Sequence, residues 1–435
     1  MVLRFLLLFS LAIAWQTCAA QLVVNQVWKL PQKVSNNAVC EGFVNGVPHL
    51  YSFTGIDSTK QHEGIHLKTF CVNLETGQSQ VLENVPDTMG KVACGASRID
   101  SIIYIVGGYH VFASGTELSS RKVHRFNVNT SSFISDAADL KIATDDHMQA
   151  VWRDSLLYVI TGWNNTRNIP NVQVYNPASD EWILGTPVPN LDSYKSFGAS
   201  GVIIKDTIFY YGGAASVPGF PIQYNLRKGV IDPNNASRIT WSDVSMDMET
   251  VGYRMAATVV NGVSHWIGGS AVTYNYDGIA YDGSGGVDPL NRDLYFVPGD
   301  TFWTKTYVDQ LPMDLRGIAK ASETKQFVAG GMLGDQQVTD LVYELSWDEN
   351  TVGHRVAKRQ NQVCAWPNPA QHHLRLGPSM FSGQQLNYRV FNVYGMSVLS
   401  GKCSAQNPVI SIVGLQPGNY VLVLDSEHYY RFLKR

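Results

Sequence analysis

The sequence predicts an all-β protein: a ring of repeated four-stranded sheets, followed by a smaller β-rich unit of different pattern. Three observations carry this. An apolar run ending in Gly-Gly or Thr-Gly recurs six times. Each run follows another short apolar segment through a tight turn. From Val363 to Arg435 the repeat gives way to a different pattern.

The recurring runs are LYSFTG (Leu50–Gly55), YIVGG (Tyr104–Gly108), YVITG (Tyr158–Gly162), FYYGG (Phe209–Gly213), HWIGG (His265–Gly269) and FVAGG (Phe327–Gly331). Their last glycines lie 53, 54, 51, 56 and 62 residues apart, a period of one supersecondary unit. The turns Asn45-Gly46 and Asn261-Gly262 between apolar segments specify two-residue hairpins, because both turn positions need positive φ. After each glycine pair come a polar loop, a third strand, and an aromatic opening a fourth. Tyr175 and Trp182 stand seven residues apart, as do Phe126 and Phe133, and Phe296 and Trp303.

This unit resembles the kelch repeat of galactose-oxidase and kelch-like proteins, in which a glycine pair closes the second strand and aromatics pack between sheets. The resemblance implies a β-propeller with the first strand of each blade innermost. The sixth repeat, Arg316 to Trp347, supplies three strands. LVVNQVWKLP, Leu22 to Pro31, reads like the missing fourth. The expectation is a six-bladed propeller over residues 21–348, with the N-terminal strand completing the last blade and leaving no open edge.

The first twenty residues have Arg4, an apolar stretch from Phe5 to Ala14, and small residues before Gln21, the pattern of a secretory signal cleaved after Ala20. Acylation at Cys18 is disfavoured by the preceding Trp-Gln-Thr. No other stretch reaches the length of a membrane helix. The formal charge of -3 offers no footprint for nucleic acid. Cys40, Cys71, Cys94, Cys364 and Cys403 remain after the signal; a Cys364–Cys403 bridge and buried free thiols both stand as readings.

Residues 349–362 read as a polar linker. Beyond them come AWPNPA, YRVFNVYGMSVLSGK, ISIVGLQPGNYVLVL and a basic YYRFLKR terminus. With its Pro-Asn-Pro turn, the turn around Asn392–Gly395 and the Gly418-Asn419-Tyr420 strand, this segment resembles the C-terminal sorting domain of type IX secretion substrates. The resemblance implies a small Ig-like β-sandwich at 363–435, handling by the type IX machinery, and a chain that crosses the periplasm of a Gram-negative cell to its surface or the medium. It also implies removal of the tail in many such proteins; Lys358-Arg359 stands near where such a cut would fall, though a solvated pair in the linker is the preferred reading of these two residues.

Propeller geometry puts the loops between the fourth and first strands, and between the second and third, on one face around the channel. The residues opening the innermost strands there are Asp146 and His147 in TDDHMQAV, Lys195 in DSYKSFGAS, Arg254 in GYRMAATVV and Arg316 in LRGIAKA; His110 and Trp163 follow glycine pairs on the same face. Three permanent cations and a histidine around one mouth suit an anionic group. A purely structural role, bonding to loop carbonyls, competes with that. Trp163 is placed either to stack on a sugar or to cover its blade.

The loop Ala271–Asp293 is long enough to be functional. Its Asp277, Asp282, Asp288 and Asp293 do not follow a calcium-loop spacing. Three turns on the opposite face, Asp100-Ser101-Ile102, Asp154-Ser155-Leu156 and Asp206-Thr207-Ile208, resemble bacterial O-glycosylation acceptors and are equally good turn chemistry. No phosphate loop, nucleophile elbow or zinc spacing occurs, and no metal or cofactor is implied. Two functions follow. One is a binding module for a glycan or protein. The alternative is a carbohydrate-active enzyme like the sialic-acid mutarotases, which implies an acidic and basic channel pair with Arg254 or Arg316 holding the anion.

Overall fold

The chain divides into two units, residues 1–348 and 349–435, in a computed structural model. The structure describes residues 22–244, 250–298 and 303–347 of the first, and 365–367, 369–377, 381, 385–392, 397–424 and 428–435 of the second. The signal, the linker, Cys364, Lys358-Arg359 and the 393–396 part of the tail's first turn lie outside the described residues.

In the first unit the described strands form six four-stranded antiparallel blades. Their innermost strands are Ala38–Val44, Val92–Ile99, Met148–Trp152, Ser200–Ile204, Ala256–Val260 and Arg316–Lys320. The outermost strand of the sixth blade is Leu22–Lys29, paired antiparallel with Leu341–Trp347. The sixth and first blades also join through a parallel pairing of Arg316–Ile318 with Ala38–Cys40.

The second strands are near-continuous apolar runs because both of their faces are buried. Successive side chains point to opposite sides. Ile103 and Ile105 therefore join the core shared with the first blade, through Tyr51, Phe53 and Cys71. Tyr104 and Val106 join the next core, with Leu157 and Val159. Tyr158 and Ile160 pass the pattern on to Ile208 and Tyr210. Phe209 and Tyr211 then meet Trp266 and Leu294. The stability of the ring lies in these successive interfaces.

The seven-residue aromatic spacing is a hairpin register. Tyr175 faces Trp182, and Phe126 faces Phe133, directly across the third and fourth strands. Their ring centroids are 4.9 and 5.1 Å apart, and such contacts contribute about 1 kcal/mol each beyond burial.

The glycine pairs act as clamps between blades. Gly107 and Gly108 both have positive φ, and the Gly108 N–H donates to the Thr144 carbonyl, which leads into the next blade. A Cβ on Gly107 would stand 2.1 Å from that same carbonyl oxygen. Equivalent bonds run from Gly55 to Lys91, Gly162 to Ser196, Gly213 to Gly252 and Gly331 to Val34. The last of these closes the circle.

Of the Asp-Ser/Thr turns, Asp206 is engaged structurally: its carboxylate takes bonds from the Trp152 indole and the Arg153 guanidinium. Cys40, Cys71 and Cys94 are buried thiols without disulfides.

The second unit has two sheets. One contains Ala365–Trp366, His373–Leu376 and Val409–Ser411; the other contains Leu386–Asn392, Ser397–Cys403, Gly418–Leu424 and His428–Lys434. Leu374, Leu376 and Ile410 of the first pack with Val390, Leu422 and Phe432 of the second. The segment after the Pro-Asn-Pro turn is tied to the chain end: Ala370 N donates to Leu433 O, and Arg435 N donates to Ala370 O. The segment that opens this unit and the one that ends it are thus hydrogen-bonded neighbours.

Candidate functional site at the channel mouth

Each blade contributes one residue in the left-handed region where its innermost strand begins: Asn36, Ala93, Asp146, Gly198, Arg254 and Asp314. They are linked around the channel. Asp146 N donates to Ala93 O, Gly198 N to Asp146 O, Arg254 N to Gly198 O, and Leu315 N to Arg254 O. Ala93 N donates to the Asn36 side chain at 2.9 Å. Asn, Asp and Gly adopt this conformation readily. Arg254 does so at a cost of about 1–2 kcal/mol, so its side-chain contacts must hold it there.

Those contacts are ionic. Arg254 Nη2 donates to Asp146 Oδ2 at 2.8 Å and Nη1 to Asp314 Oδ1 at 3.2 Å. Arg316 also pairs with Asp146, and its Nε donates to Asn36 Oδ1 at 3.0 Å. Ser35 donates to the other Asp314 oxygen at 2.7 Å. Arg254, 1% exposed, also lies against the Tyr253 and Tyr274 rings, 4.9 and 5.1 Å from their centroids. Burial alone would raise Asp146; the Arg254 and Arg316 charges outweigh it and hold the carboxyl below its usual range.

Two arginines thus meet two aspartates. The sequence expectation of free positive charge around the mouth is corrected at this point, because both guanidiniums are buried and neutralised. Lys195 is apart from this network. It is half-buried, its ammonium 3.6 Å from the exposed Asp192, and it lines neither cavity described below. His110 sits half-buried with Nδ1 3.0 Å from the Gly90 carbonyl.

Below the ring, the channel holds a cavity of about 80 Å³ lined chiefly by small residues, with His147 and Arg316 on its wall. His147 Nε2 is 3.0 Å from Gln149 Oε1, and Gln149 in turn donates to Ser97. Burial lowers the His147 pKa to about 4, so the ring is neutral.

Above the ring lies a second cavity of about 90 Å³. Asp145 and Asp146 form part of its floor. The second blade supplies Tyr109 and Glu117, the latter on the short strand Glu117–Ser119 that extends its hairpin. Trp163 comes from the third blade, positioned by a pair of backbone bonds with Asp145. Phe197 opens the fourth blade, and Phe220 comes from that blade's loop.

The long loop of the fifth blade supplies Tyr281 and reaches across the mouth. Its Thr273 hydroxyl donates to Phe220 O at 2.7 Å. Gln336 of the sixth blade donates to Val287 O at 3.0 Å. Tyr276 packs against Ile56, Tyr109 and Val111 of the first and second blades. The loop's carboxylates are engaged separately: Asp277 and Asp282 accept local backbone N–H groups, while Asp293 is buried against His265 at 2.8 Å.

The rings of the second cavity pack edge to face. Trp163 is 5.4 Å from Phe197 and 5.6 Å from Phe220, and Phe220 is 4.8 Å from Tyr281. Glu117 and Asp145 form no ion pair among the described residues. The Asp145 carboxylate accepts the Ser119 hydroxyl at 2.5 Å. Burial raises Glu117 to about 7, against the pull of Arg254 and with a further push from Asp146. Burial and the Asp146 charge push Asp145 well above its usual range.

Of the sequence candidates, Asp146, Arg254 and Arg316 come together at the ring, with His147 below it and Trp163 above. Sequence reasoning missed Glu117, Asp145, Phe197, Phe220 and Tyr281, which come from separate loops. The one local signal was the adjacency of Asp145 to Asp146 in TDDHMQAV.

Comparison with known proteins decides the class. The solved structure of YjhT superposes with a TM-score of 0.58 at 15% identity, covering 74% of this chain and 97% of that one. Kelch-like protein 36 of Bos taurus is 23% identical over 115 residues, 26% of this chain and 18% of the relative's length. The first unit is a kelch-type β-propeller. Residues 364–434 match the family of secretion system C-terminal sorting domains. This tail marks the chain for type IX secretion, to the surface of a Gram-negative cell or the medium. Among the described residues no helix is long and apolar enough to cross a membrane.

Proposed function

We propose that the exported propeller is a binding module that takes a glycan or a protein ligand at the channel mouth. The observation carrying this reading is the cavity under the long loop, whose rim places the half-buried rings of Trp163, Phe220 and Tyr281 around a polar floor. Aromatic walls over a few fixed polar groups are the general make-up of ligand sites. Screening the full chain on an array of glycans tests it, with Trp163→Ala as the variant. Binding that this variant weakens tenfold or more supports the reading; binding indifferent to Trp163 removes the mouth from it.

A second reading, a carbohydrate enzyme of mutarotase or epimerase character, is favoured by one feature. Glu117, raised to about 7, shares its cavity with Asp146, whose carboxylate is ion-paired to the buried Arg254. A carboxyl poised near neutrality suits proton transfer. Anomer exchange of the bound sugars, followed by NMR with wild-type and Glu117→Gln chains, distinguishes the two: catalysed exchange that the variant loses marks an enzyme.

A further inference from the structure

The ion-pair network beside the mouth cavity is balanced in charge, whereas the cavity itself carries carboxyl groups that no cation among the described residues pairs. Asp146 and Asp314 together balance Arg254 and Arg316, so the ring contributes no free positive charge. The carboxylates left facing the cavity without an ion pair, Glu117 and Asp145, are acidic. The rings of Trp163, Phe197, Phe220 and Tyr281 line the same cavity, packed on one another at centroid distances of 4.8–6.1 Å. Rings of this kind attract cations through their quadrupoles, most strongly when the cation is desolvated. A carboxyl that gives up its proton as the cation arrives adds Coulombic attraction at low local dielectric. An anionic ligand would meet two acids and no unpaired guanidinium.

We propose that this cavity binds an organic ammonium group, a protonated amine or an alkylated ammonium headgroup carried by the ligand. The inference rests on the mouth being the ligand site and adds the charge its ligand must bring. A cavity of about 90 Å³ accommodates a small headgroup and leaves the rest of the ligand against the rim. The backbone-anchored positions of Trp163 and Asp145, and the Ser119 bond to Asp145, hold the walls in place before a ligand arrives. Glu117 faces Asp145, Asp146, Arg254 and the tyrosines Tyr109, Tyr276 and Tyr281. With its carboxyl raised to about 7, an arriving cation at neutral pH expels its proton.

Calorimetric titration of the full chain at pH 7 tests the proposal, with tetramethylammonium, glucosamine and the neutral N-acetylglucosamine as probes. The expected result is binding of one or both cations, with N-acetylglucosamine at least about tenfold weaker than glucosamine. Proton release should also appear, as a dependence of the heat on buffer ionisation. Tetramethylammonium binding alone identifies an alkylated headgroup; glucosamine alone identifies an amine.

Glu117→Gln should weaken the cation about tenfold or more. Should that variant fail to fold, Trp163→Leu carries the same expectation at a half-exposed position. Equal binding of N-acetylglucosamine and glucosamine, lost in Trp163→Leu, overturns the charge requirement and leaves the mouth as the site. Absence of binding by every probe, or cation binding untouched by both variants, overturns the proposal.

Discussion

Arg254 and Asp146 lie 108 residues apart, on the fifth and third blades, and meet at the channel mouth at 2.8 Å with both backbones in the left-handed region. Each strained or special conformation is fixed by the other's side chain. The pair, with Asp314 and Arg316, ties together the ends of blades that share no sheet. It is a brace of the ring before it is anything else.

Removing one member leaves buried charge without a partner. Arg254→Ala strands the buried Asp314 and leaves the buried Asp146 with Arg316 alone, and is expected to lower the unfolding free energy by about 3–5 kcal/mol. Denaturant unfolding of the wild-type and variant chains measures this. A loss below about 1 kcal/mol contradicts the bracing role.

Glu117 makes a prediction with the opposite sense. Its folded-state pKa is raised from 4.5 to about 7, so the folded chain holds a proton that the unfolded chain has lost between those values. Stability therefore falls as pH rises through that window and levels off above it. Glu117→Gln removes this contribution. The variant should gain on wild type progressively from about pH 4.5 to 7 and keep a constant advantage at pH 8. Thermal unfolding across this range checks it; a variant whose disadvantage grows with pH refutes it.

The glycine clamp separates two uses of one residue type. Gly108→Ala must place a Cβ at positive φ and 2.4 Å from Cys94 Sγ, whereas Gly46→Ala meets nothing within 4 Å. The hairpin variant should lose about 1 kcal/mol from backbone conformation alone. The clamp variant should lose clearly more, about 3 kcal/mol or above, from strain and overpacking together. Urea midpoints of the two chains provide the comparison.

Deleting residues 22–29 tests closure. The strand Leu341–Trp347 would then present an unpaired edge. The shortened chain should unfold at lower temperature and associate in size-exclusion chromatography. A monomer as stable as wild type would show that the N-terminal strand contributes nothing to the ring.

The repeat was legible because its cause is local. A glycine pair at a fixed period, an Asn-Gly turn and aromatics seven residues apart each follow from the conformation of a few consecutive residues. The six left-handed positions at the mouth were not legible. Asn36, Ala93, Asp146, Gly198, Arg254 and Asp314 share a backbone conformation and no side-chain chemistry. The sequence placed Asp146, Arg254 and Arg316 at the mouth but showed neither their pairing nor the part of Asp314, because each pair joins different connections of the ring. The aromatic wall was hidden for the same reason: Trp163, Phe197, Phe220 and Tyr281 sit on separate loops that the closed ring brings together. Lys195 carried the right charge at the right point of the repeat, yet its ammonium turns to Asp192.

The central claim is that ligand is taken at the channel mouth, under the long loop of the fifth blade. Hydrogen–deuterium exchange of the full chain, with and without the tightest ligand from the glycan array, measures this directly. The account predicts protection concentrated in residues 109–119, 143–147, 163–168 and 271–291. Protection confined to the opposite face, at turns such as 100–102 and 153–156, would contradict it.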